Sequence, residues 1–301
     1  QVTLVAAGGL EARTSQGRVS IPIARRVTLK AEGPDGFDAS AERVNDLDWD
    51  TKEFVAEGNV HFNGAAGDGN AERAVVHGRE SVELYGTSSD PARWILARRE
   101  TTKGPLSAEA RALEITARDE EVHARGEVVV DFAAGQDAYH LASNALDLAL
   151  DPLPAGVAPA DAKERTYHAK AKGGVRANFA SLGRKGELEC QTLTVDGTAR
   201  TREKGAEGDA RLGDSDIVAE GGVRVDWKPD PLAAAAGLRG SGDKFTLDRR
   251  RHGRLESFDG RTVDARGTLG ERGQPYAMRA TWIDFDETHV EAANVVVGID
   301  P

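Results

Sequence analysis

A short phrase, apolar-x-Ala-x-Gly-x-Val, recurs along this 301-residue chain and constrains its fold more than any other feature. Its copies align on Gly58, Gly126, Gly173, Gly221 and Gly267, and the last four glycines are 47, 48 and 46 residues apart. Within each copy, apolar or small residues alternate with mostly polar ones, as in a strand with one buried and one solvent-facing side. A fixed repeat of this kind predicts similar structural units stacked on one another.

A second phrase alternates with the first and also predicts strands. In it, a small residue is followed by apolar residues three and five positions later, and the last two alternate with polar residues. Its copies are Ala71/Ala74/Val76, Ala110/Leu113/Ile115, Ser143/Leu146/Leu148, Cys190/Leu193/Val195, Gly242/Phe245/Leu247 and Ala280/Ile283/Phe285. Because Cys190 stands where other copies have Ala, Ser or Gly, we expect it to be a small core-facing residue and not a reactive thiol.

Together the two phrases predict an all-β chain of short, sequentially paired antiparallel strands. Glycine-rich stretches at 67–69, 196–197 and 259–260 are expected to form tight connections between them. Two stretches, 151–161 and 200–208, break the rhythm and are predicted insertions. We therefore expect one elongated stack over residues 1–301, and if it has a seam, the seam should fall near 151–164.

Composition narrows the functional classes. The formal net charge of -11 argues against a nucleic-acid partner, since such proteins neutralise phosphates with clustered Lys and Arg. A single cysteine excludes an internal disulfide and a thiolate metal cluster. The chain has no apolar run of bilayer length and starts without a signal-peptide pattern, so we expect that a signal or an anchor was removed.

The interleaved phrases resemble the OstA family of periplasmic lipopolysaccharide-transport proteins, which includes LptA, LptC and the N-terminal domain of LptD. The closest phrase is Ala56-Glu-Gly-Asn-Val60, and the resemblance runs from about Phe37 to a last copy, Val290–Val295, in which alanine replaces glycine. It implies an elongated, V-shaped β-jellyroll (β-taco) that holds acyl chains in a hydrophobic groove between two sheets.

The same resemblance implies location and partners. We expect a periplasmic protein, anchored to the inner membrane or associated with the outer membrane through a segment outside this chain. Its partners would be lipopolysaccharide or a related lipid, other β-jellyroll transport proteins joined through edge strands, and further copies of itself. No cofactor is expected.

Strand parity predicts which residues line the groove. The inward positions should share the phase of the repeat glycine, and four aromatic residues late in the copies should lie near one lip of the stack. The groove candidates are Phe54, Val60, Phe62, Val122, Val128, Val130, Phe132, Val175, Phe179, Ile217, Val223, Val225 and Trp227.

Catalysis finds little support in the sequence, so we expect a binding protein and not an enzyme. Most of the seven histidines fall at outward strand positions, and neither metal-ligand spacing nor a nucleophile elbow occurs. Three alternatives stay open at this point. They are a polysaccharide-modifying enzyme on a parallel β-helix, a closed structural β-stack, and a phospholipid carrier with a similar trough.

Overall fold

The computed structural model describes the chain except for residues 1, 16–17, 32–36, 49, 65–66, 79, 102–103, 119, 135–136, 153–163, 182–183, 201–211, 229–237, 250–251, 270–273, 286–289 and 299–301. Within the described residues all regular elements are β-strands, and every pairing of known register is antiparallel. The predicted all-β, antiparallel and repeat-like class is therefore confirmed. The antiparallel pairing excludes a parallel β-helix for these strands. No helix suited to crossing a bilayer occurs among the described residues.

The chain divides into two compact units, 1–99 with 107–130, and 100–106 with 131–301. Almost all of the stretch around the expected seam, 153–163, lies outside the described residues. All or most of the following strands belong to unit 1: β1 Val2–Ala6, β2 Leu10–Ser15, β3 Arg18–Ala31, β4 Phe37–Asp48, β5 Glu53–Gly64, β6 Gly67–His77, β7 Ser81–Tyr85, β8 Ala92–Thr101, β9 Gly104–Ala112, β10 Glu114–Arg118 and β11 Glu121–Ala134.

Unit 2 contains the remaining strands: β12 Asp137–Leu150, β13 Glu164–Ser181, β14 Arg184–Arg200, β15 Leu212–Lys228, β16 Leu238–Leu247, β17 Gly253–Glu256, β18 Val263–Leu269, β19 Gln274–Ala280, β20 Trp282–Phe285, β21 Val290–Ala293 and β22 Val296–Gly298. Most of these strands pair with the strand that precedes or follows them in the chain.

The repeat glycines form corners in the middle of long strands. Gly58, Gly126, Gly173 and Gly221 all have φ between 73° and 84°, and the residue that follows each glycine also has positive φ. At three of these corners the pairing register shifts, for example between Glu57 and Val60. Two residues therefore oppose one on the next strand, which is a β-bulge that bends the strand. Glycine is favoured because it adopts positive φ without a steric penalty.

The corners also explain the spacing of the second phrase. A Cβ added at Gly221 would lie 2.8 Å from Cβ of Gln191, and one added at Gly173 would lie 2.9 Å from Cβ of Asn144. Each of these neighbours directly follows the small residue of a second-phrase copy, Cys190 or Ser143. The three-residue step of that phrase is therefore the place where the neighbouring strand turns the same corner.

Each long strand, or pair of short strands, thus crosses both sides of a corner, and we call one such crossing a rung. In unit 1 the rungs are β1 with β2, β3, β4, β5, β6, β7 with β8, β9 with β10, and β11. In unit 2 they are β12, β13, β14, β15, β16, β17 with β18, β19 with β20, and β21 with β22. Both units therefore have eight rungs, and in both the sixth and seventh rungs are broken at the corner.

Backbone hydrogen bonds at these broken corners match between the units. In unit 1, Gly86 N–H donates to Leu113 O (2.8 Å) and Leu113 N–H donates to Gly126 O (2.9 Å). In unit 2, Ser257 N–H donates to Thr281 O (3.1 Å) and Thr281 N–H donates to Ala293 O (3.0 Å). Ala293 thus takes the place of a repeat glycine in the last copy, as the sequence comparison of the copies suggested.

The corners divide each unit into two halves that face each other. Half A contains the strand segments before each corner of β5 and β15, Glu53–Glu57 in unit 1 and Ile217–Glu220 in unit 2, and all strand segments that pair with them directly or through a neighbouring strand. Half B contains the segments after these corners, Val60–Gly64 and Val223–Lys228, and the strand segments that pair with them in the same way. In unit 1, Leu84 of half A lies over Gly69 of half B, and in unit 2 Leu255 lies over Gly240. Each unit therefore has its core between its own two halves.

Several details of the sequence prediction are wrong. The Gly67–Gly69 and Asp196–Gly197 stretches lie within β6 and β14, and only the Asp259–Gly260 stretch forms a turn. Gly267 lies inside β18 in regular register with Tyr276, so it is not a corner. The corner of that rung is the loop that contains Gly260, with φ of 74°. The Asp-Gly pair inside β14 is possible because a half-buried strand accepts glycine where a large neighbour covers it.

One copy of the second phrase is aligned two residues too early. The positions that match the other copies are Ala112 and Ile115, which are both fully buried, and the corner residue between them is Leu113. Ala110 is buried as well, because it precedes Ala112 by one strand period. The prediction that Cys190 is a small core-facing residue is confirmed, since its side chain is buried.

Candidate functional site

The interior of unit 1 is a narrow apolar slot between its two halves. Its walls include Val27, Val60 and Phe62 from half B and Phe54 and Leu84 from half A, and apart from Ser40 every lining side chain is apolar. The remaining cavity is only ≈ 20 Å³, about the room one water molecule needs. In this conformation the slot is closed, so a ligand chain would have to part the two halves.

Backbone pairing permits such a movement. In the described part of the chain, every pairing of known register joins half A to half A or half B to half B, and only the corners connect the two. Among the described residues, no strand pairing of known register joins the two halves at the strand ends farthest from the corners, which we call the lips. Packing between side chains and backbone, such as Leu84 over Gly69, is the described contact between the halves. Packing is less directional than a hydrogen-bond ladder, so the halves can open at the lips without breaking a strand pair.

The predicted groove residues fall into two groups by depth. Those nearest the corners are core, with Val128, Val175 and Val223 at most 1% exposed. Phe54, Val60 and Val225 are also buried. The others are half-buried: Phe62, Val122, Val130, Phe132, Phe179 and Ile217. Trp227 belongs to β15, but its side chain lies outside the described part.

At the lips, aromatic rings lie over glycines of the neighbouring strand. Phe179 pairs with Gly186, and a Cβ added at that glycine would be 1.9 Å from the Phe179 ring. In the same way Tyr167 covers Gly197, and Phe285 covers Gly253. At the lips, aromatic rings thus pack on the backbone of glycines, whereas in the deep interior aliphatic side chains pack on one another.

Unit 2 has a wider opening at the half A lip. A cleft of ≈ 490 Å³ is bordered by apolar Ile217, Leu247 and Phe285 and by charged residues that include Asp216, His252 and Arg254. This volume is in the range of small-molecule sites. Ile217, Leu247 and Phe285 occupy inward strand positions, whereas Val218, Thr246 and Asp284 occupy outward ones, so residues from both faces of these strands border the cleft.

The outer face is covered by exposed pairs of opposite charge across neighbouring strands. Examples are Arg279 with Asp264 (2.7 Å) and Arg254 with Asp284 (3.1 Å), and Arg254 also stacks on Trp282. Exposed pairs of this kind contribute little net stability, typically below about 1 kcal/mol. Their role is to keep the outer face polar while the inner face stays apolar.

Five of the described histidines lie at outward strand positions, and His252 borders the cleft of unit 2. His168 is held between Asp196 (2.6 Å) and Asp151 (3.1 Å), and these hydrogen bonds raise its pKa above the usual 6.5. His140 contacts Asp131 at 2.7 Å. His289 lies outside the described residues. No group of three or more metal-ligating side chains is found in the described ranges.

The first rung of unit 1 and the last rung of unit 2 expose apolar strand residues. Val5 and Leu10 in the first rung of unit 1 are 58% and 50% exposed, and Val296 in the last rung of unit 2 is 72% exposed. Exposed apolar side chains on an edge strand favour pairing with another strand.

Sequence reasoning missed some residues that shape the interior. Trp94 is buried and stacks on Phe62 with ring centroids 6.1 Å apart. Leu84 and Leu255 are the buried residues that cross from half A to half B. Their rungs are broken at the corner, so neither repeat phrase is present there. The signal that could have found them is the alternation around each, as in Val82-x-Leu84.

No protein-family model, no curated protein and no solved structure matches this chain.

Proposed function

We propose that this protein binds the hydrocarbon chains of an amphiphile between the two halves of its units, as a carrier or bridge for lipopolysaccharide during transport to the outer membrane. One observation carries the proposal. Among the described residues, every strand pairing of known register stays within one half, so an apolar interior can open at the lips. The choice of lipopolysaccharide and of the periplasm rests on the resemblance to the OstA family.

The interior provides the driving force for binding. Each methylene moved from water into an apolar environment contributes about 0.8 kcal/mol, so a few methylenes per chain suffice for useful affinity. Ser40 is the one polar side chain in the lining of this slot, so an acyl chain would face almost no polar group that needs a hydrogen-bond partner. Parting the halves offsets part of this gain, because side chains such as Phe62 and Leu84 must separate.

Charge supports recognition through the tail. The chain has a net charge of -11, and several of its outer cations are paired with carboxylates, as Arg279 is with Asp264. An anionic headgroup therefore gains little from long-range attraction. Binding should depend on chain length and only weakly on salt.

The exposed apolar residues of the first rung of unit 1 and the last rung of unit 2 support a bridging role. Edge strands of related β-jellyroll transport proteins, or of a second copy of this chain, would pair with β1 and β2 or with β22.

A chain-length series tests the proposal. A fluorescent fatty acid is bound first and then displaced by saturated fatty acids of increasing length, by lipopolysaccharide or by phospholipid, all below their micellar concentrations. We expect Kd to fall roughly fourfold for each added methylene, which is about 0.8 kcal/mol, and to change little with salt. Stronger displacement by lipopolysaccharide than by phospholipid would support the transport role. The reverse order would identify a phospholipid carrier.

A closed structural stack is the second candidate, and one observation favours it. The slot of unit 1 holds only ≈ 20 Å³ in this conformation. A protein with a permanently closed interior would not bind the fluorescent fatty acid, so no competitor of any chain length could displace it. That result would reject the carrier and leave the structural role.

A further inference from the structure

The aromatic rings at the lips lean over glycines more than ordinary strand geometry requires. Phe62 and Trp94 flank Gly69 on the two neighbouring strands of half B in unit 1. Strands two apart are separated by roughly 9.6 Å, yet these ring centroids are 6.1 Å apart and the rings are nearly parallel, at 17°. The two rings therefore meet above the glycine between them.

In unit 2, Phe285 lies over Gly253 of β17 and stacks on Phe245 of β16, with centroids 6.1 Å apart and an interplanar angle of 18°. Phe245 is opposite Leu255 and not opposite Gly253, so this second ring pair does not flank a glycine as the pair in unit 1 does. In unit 1 the stacked pair closes over Gly69, which Leu84 of half A also covers. If the rings and Leu84 move away, they leave a trench about as wide as one missing side chain.

We propose that the stacked ring pair of unit 1 is a gate, and that an acyl chain enters unit 1 by displacing Phe62, Trp94 and Leu84 from Gly69 and then lies against this glycine. This inference rests on the proposed function and adds where the chain enters and which residues it touches. Phe62 lines the closed slot, so the gate opens directly into the apolar interior. An unbranched hydrocarbon chain fits because the trench has the width of one side chain and offers no polar side chain to contact.

Gly69 provides a sharp test, because alanine fits there in the closed state. An added Cβ would lie 3.4 Å from Leu84 and 3.5 Å from Trp94, which are ordinary contact distances. Its φ is not in the left-handed region, so alanine carries no backbone strain. Gly69→Ala should therefore fold normally while its methyl group occupies the trench that the acyl chain needs.

The first experiment compares fatty-acid binding by the full-length wild-type protein and two variants. We expect Gly69→Ala to raise Kd at least roughly fourfold, the equivalent of one lost methylene contact, with an unchanged thermal unfolding midpoint. The matched control is Asn70→Ala, which removes only a hydrogen bond to His61 on the outer face next to Gly69. It should bind like wild type. Equal affinity in Gly69→Ala and Asn70→Ala would overturn the gate.

The second experiment uses the wild-type gate itself. A variant that keeps Trp94 as its only tryptophan, with phenylalanine at positions 49, 227 and 282, is titrated with a fatty acid brominated along its chain. We expect strong quenching of Trp94, because bromine quenches on contact. A variant that keeps only Trp282, on the outer face against Arg254, is the control and should be quenched far less.

The outcomes separate the gate from the proposed function. Binding with quenched Trp94 and weakened Gly69→Ala supports the gate. Binding of the fluorescent probe without quenching of Trp94 rejects the gate and leaves the lipid carrier standing. Absence of binding to the wild-type protein rejects both.

Discussion

Replacing Gly221 with alanine should destabilise its corner far more than the same change at the next residue, Gly222. Both residues have positive φ, +84° and +61°, so alanine costs about 1–2 kcal/mol of conformational energy at either site. At Gly221 the new Cβ would also lie 2.8 Å from Cβ of Gln191, whereas nothing lies within 4 Å at Gly222. Overpacking of this kind adds about 1–3 kcal/mol. We therefore expect a total near 2–5 kcal/mol for Gly221→Ala and about 1–2 kcal/mol for Gly222→Ala.

The chain itself offers a matched control. At the equivalent second corner position of β5 the residue is Asn59, with φ of 46°, so Gly222→Asn should cost little because Asn tolerates this conformation. Amide hydrogen exchange followed by mass spectrometry is the suitable assay, since two units need not unfold in one step. Faster exchange in β14 and β15, with unchanged exchange in β5, is the expected result for Gly221→Ala. Equal effects of alanine at positions 221 and 222 would refute the corner packing.

Three further predictions follow from buried or paired groups. Val223→Asp places a charge at a fully buried position and should unfold unit 2 locally, with a loss of several kcal/mol in the free energy of unfolding. Val218→Asp, at a half-buried outward position, should lower this free energy less. Similar melting curves for the two variants would contradict the assignment of inward and outward positions. Burial raises the pKa of the Cys190 thiol to about 11, so it should stay unreactive to a thiol reagent at mildly alkaline pH until denaturant is added; fast reaction of the native protein would show that the site is open. Protonated His168 donates hydrogen bonds to Asp196 and Asp151, which raises its pKa, so their stabilisation is present below pH 6.5 and lost as the pH rises through the folded pKa. An NMR titration should show this raised pKa and its fall in Asp196→Asn, and an equal pKa in both proteins would be evidence against the pairing.

Local sequence patterns predicted the parts of the fold that repeat. Alternation of apolar and polar residues identified the buried side of the strands around Val128, Val175 and Val223, because one buried face imposes a period of two. The glycine phrase located four of the corners, although it did not reveal that these glycines bend the strand. Their positive φ arises from the way two halves join, which no single strand encodes.

Features set by neighbouring strands were harder to predict. The Gly67–Gly69 stretch was mistaken for a turn because its glycines are accommodated by Phe62 and Trp94 on adjacent strands, a tertiary relation. Gly267 was mistaken for a corner because its phrase matches, while the corner of its rung moved into the Ser257–Thr262 loop. The candidate groove residues were identified by parity, but parity cannot separate core from lip. That distinction depends on distance from the corner, as the contrast between Val223 and Phe179 shows.

Native mass spectrometry of the protein, purified from a Gram-negative host and then exposed to lipopolysaccharide, shows whether its interior binds acyl chains. We expect the protein to carry co-purifying lipid with acyl chains, added lipopolysaccharide to displace this lipid, and Gly69→Ala to retain less lipid than Asn70→Ala. A wild-type protein that stays free of lipid, both as purified and after lipopolysaccharide is added, would contradict this expectation.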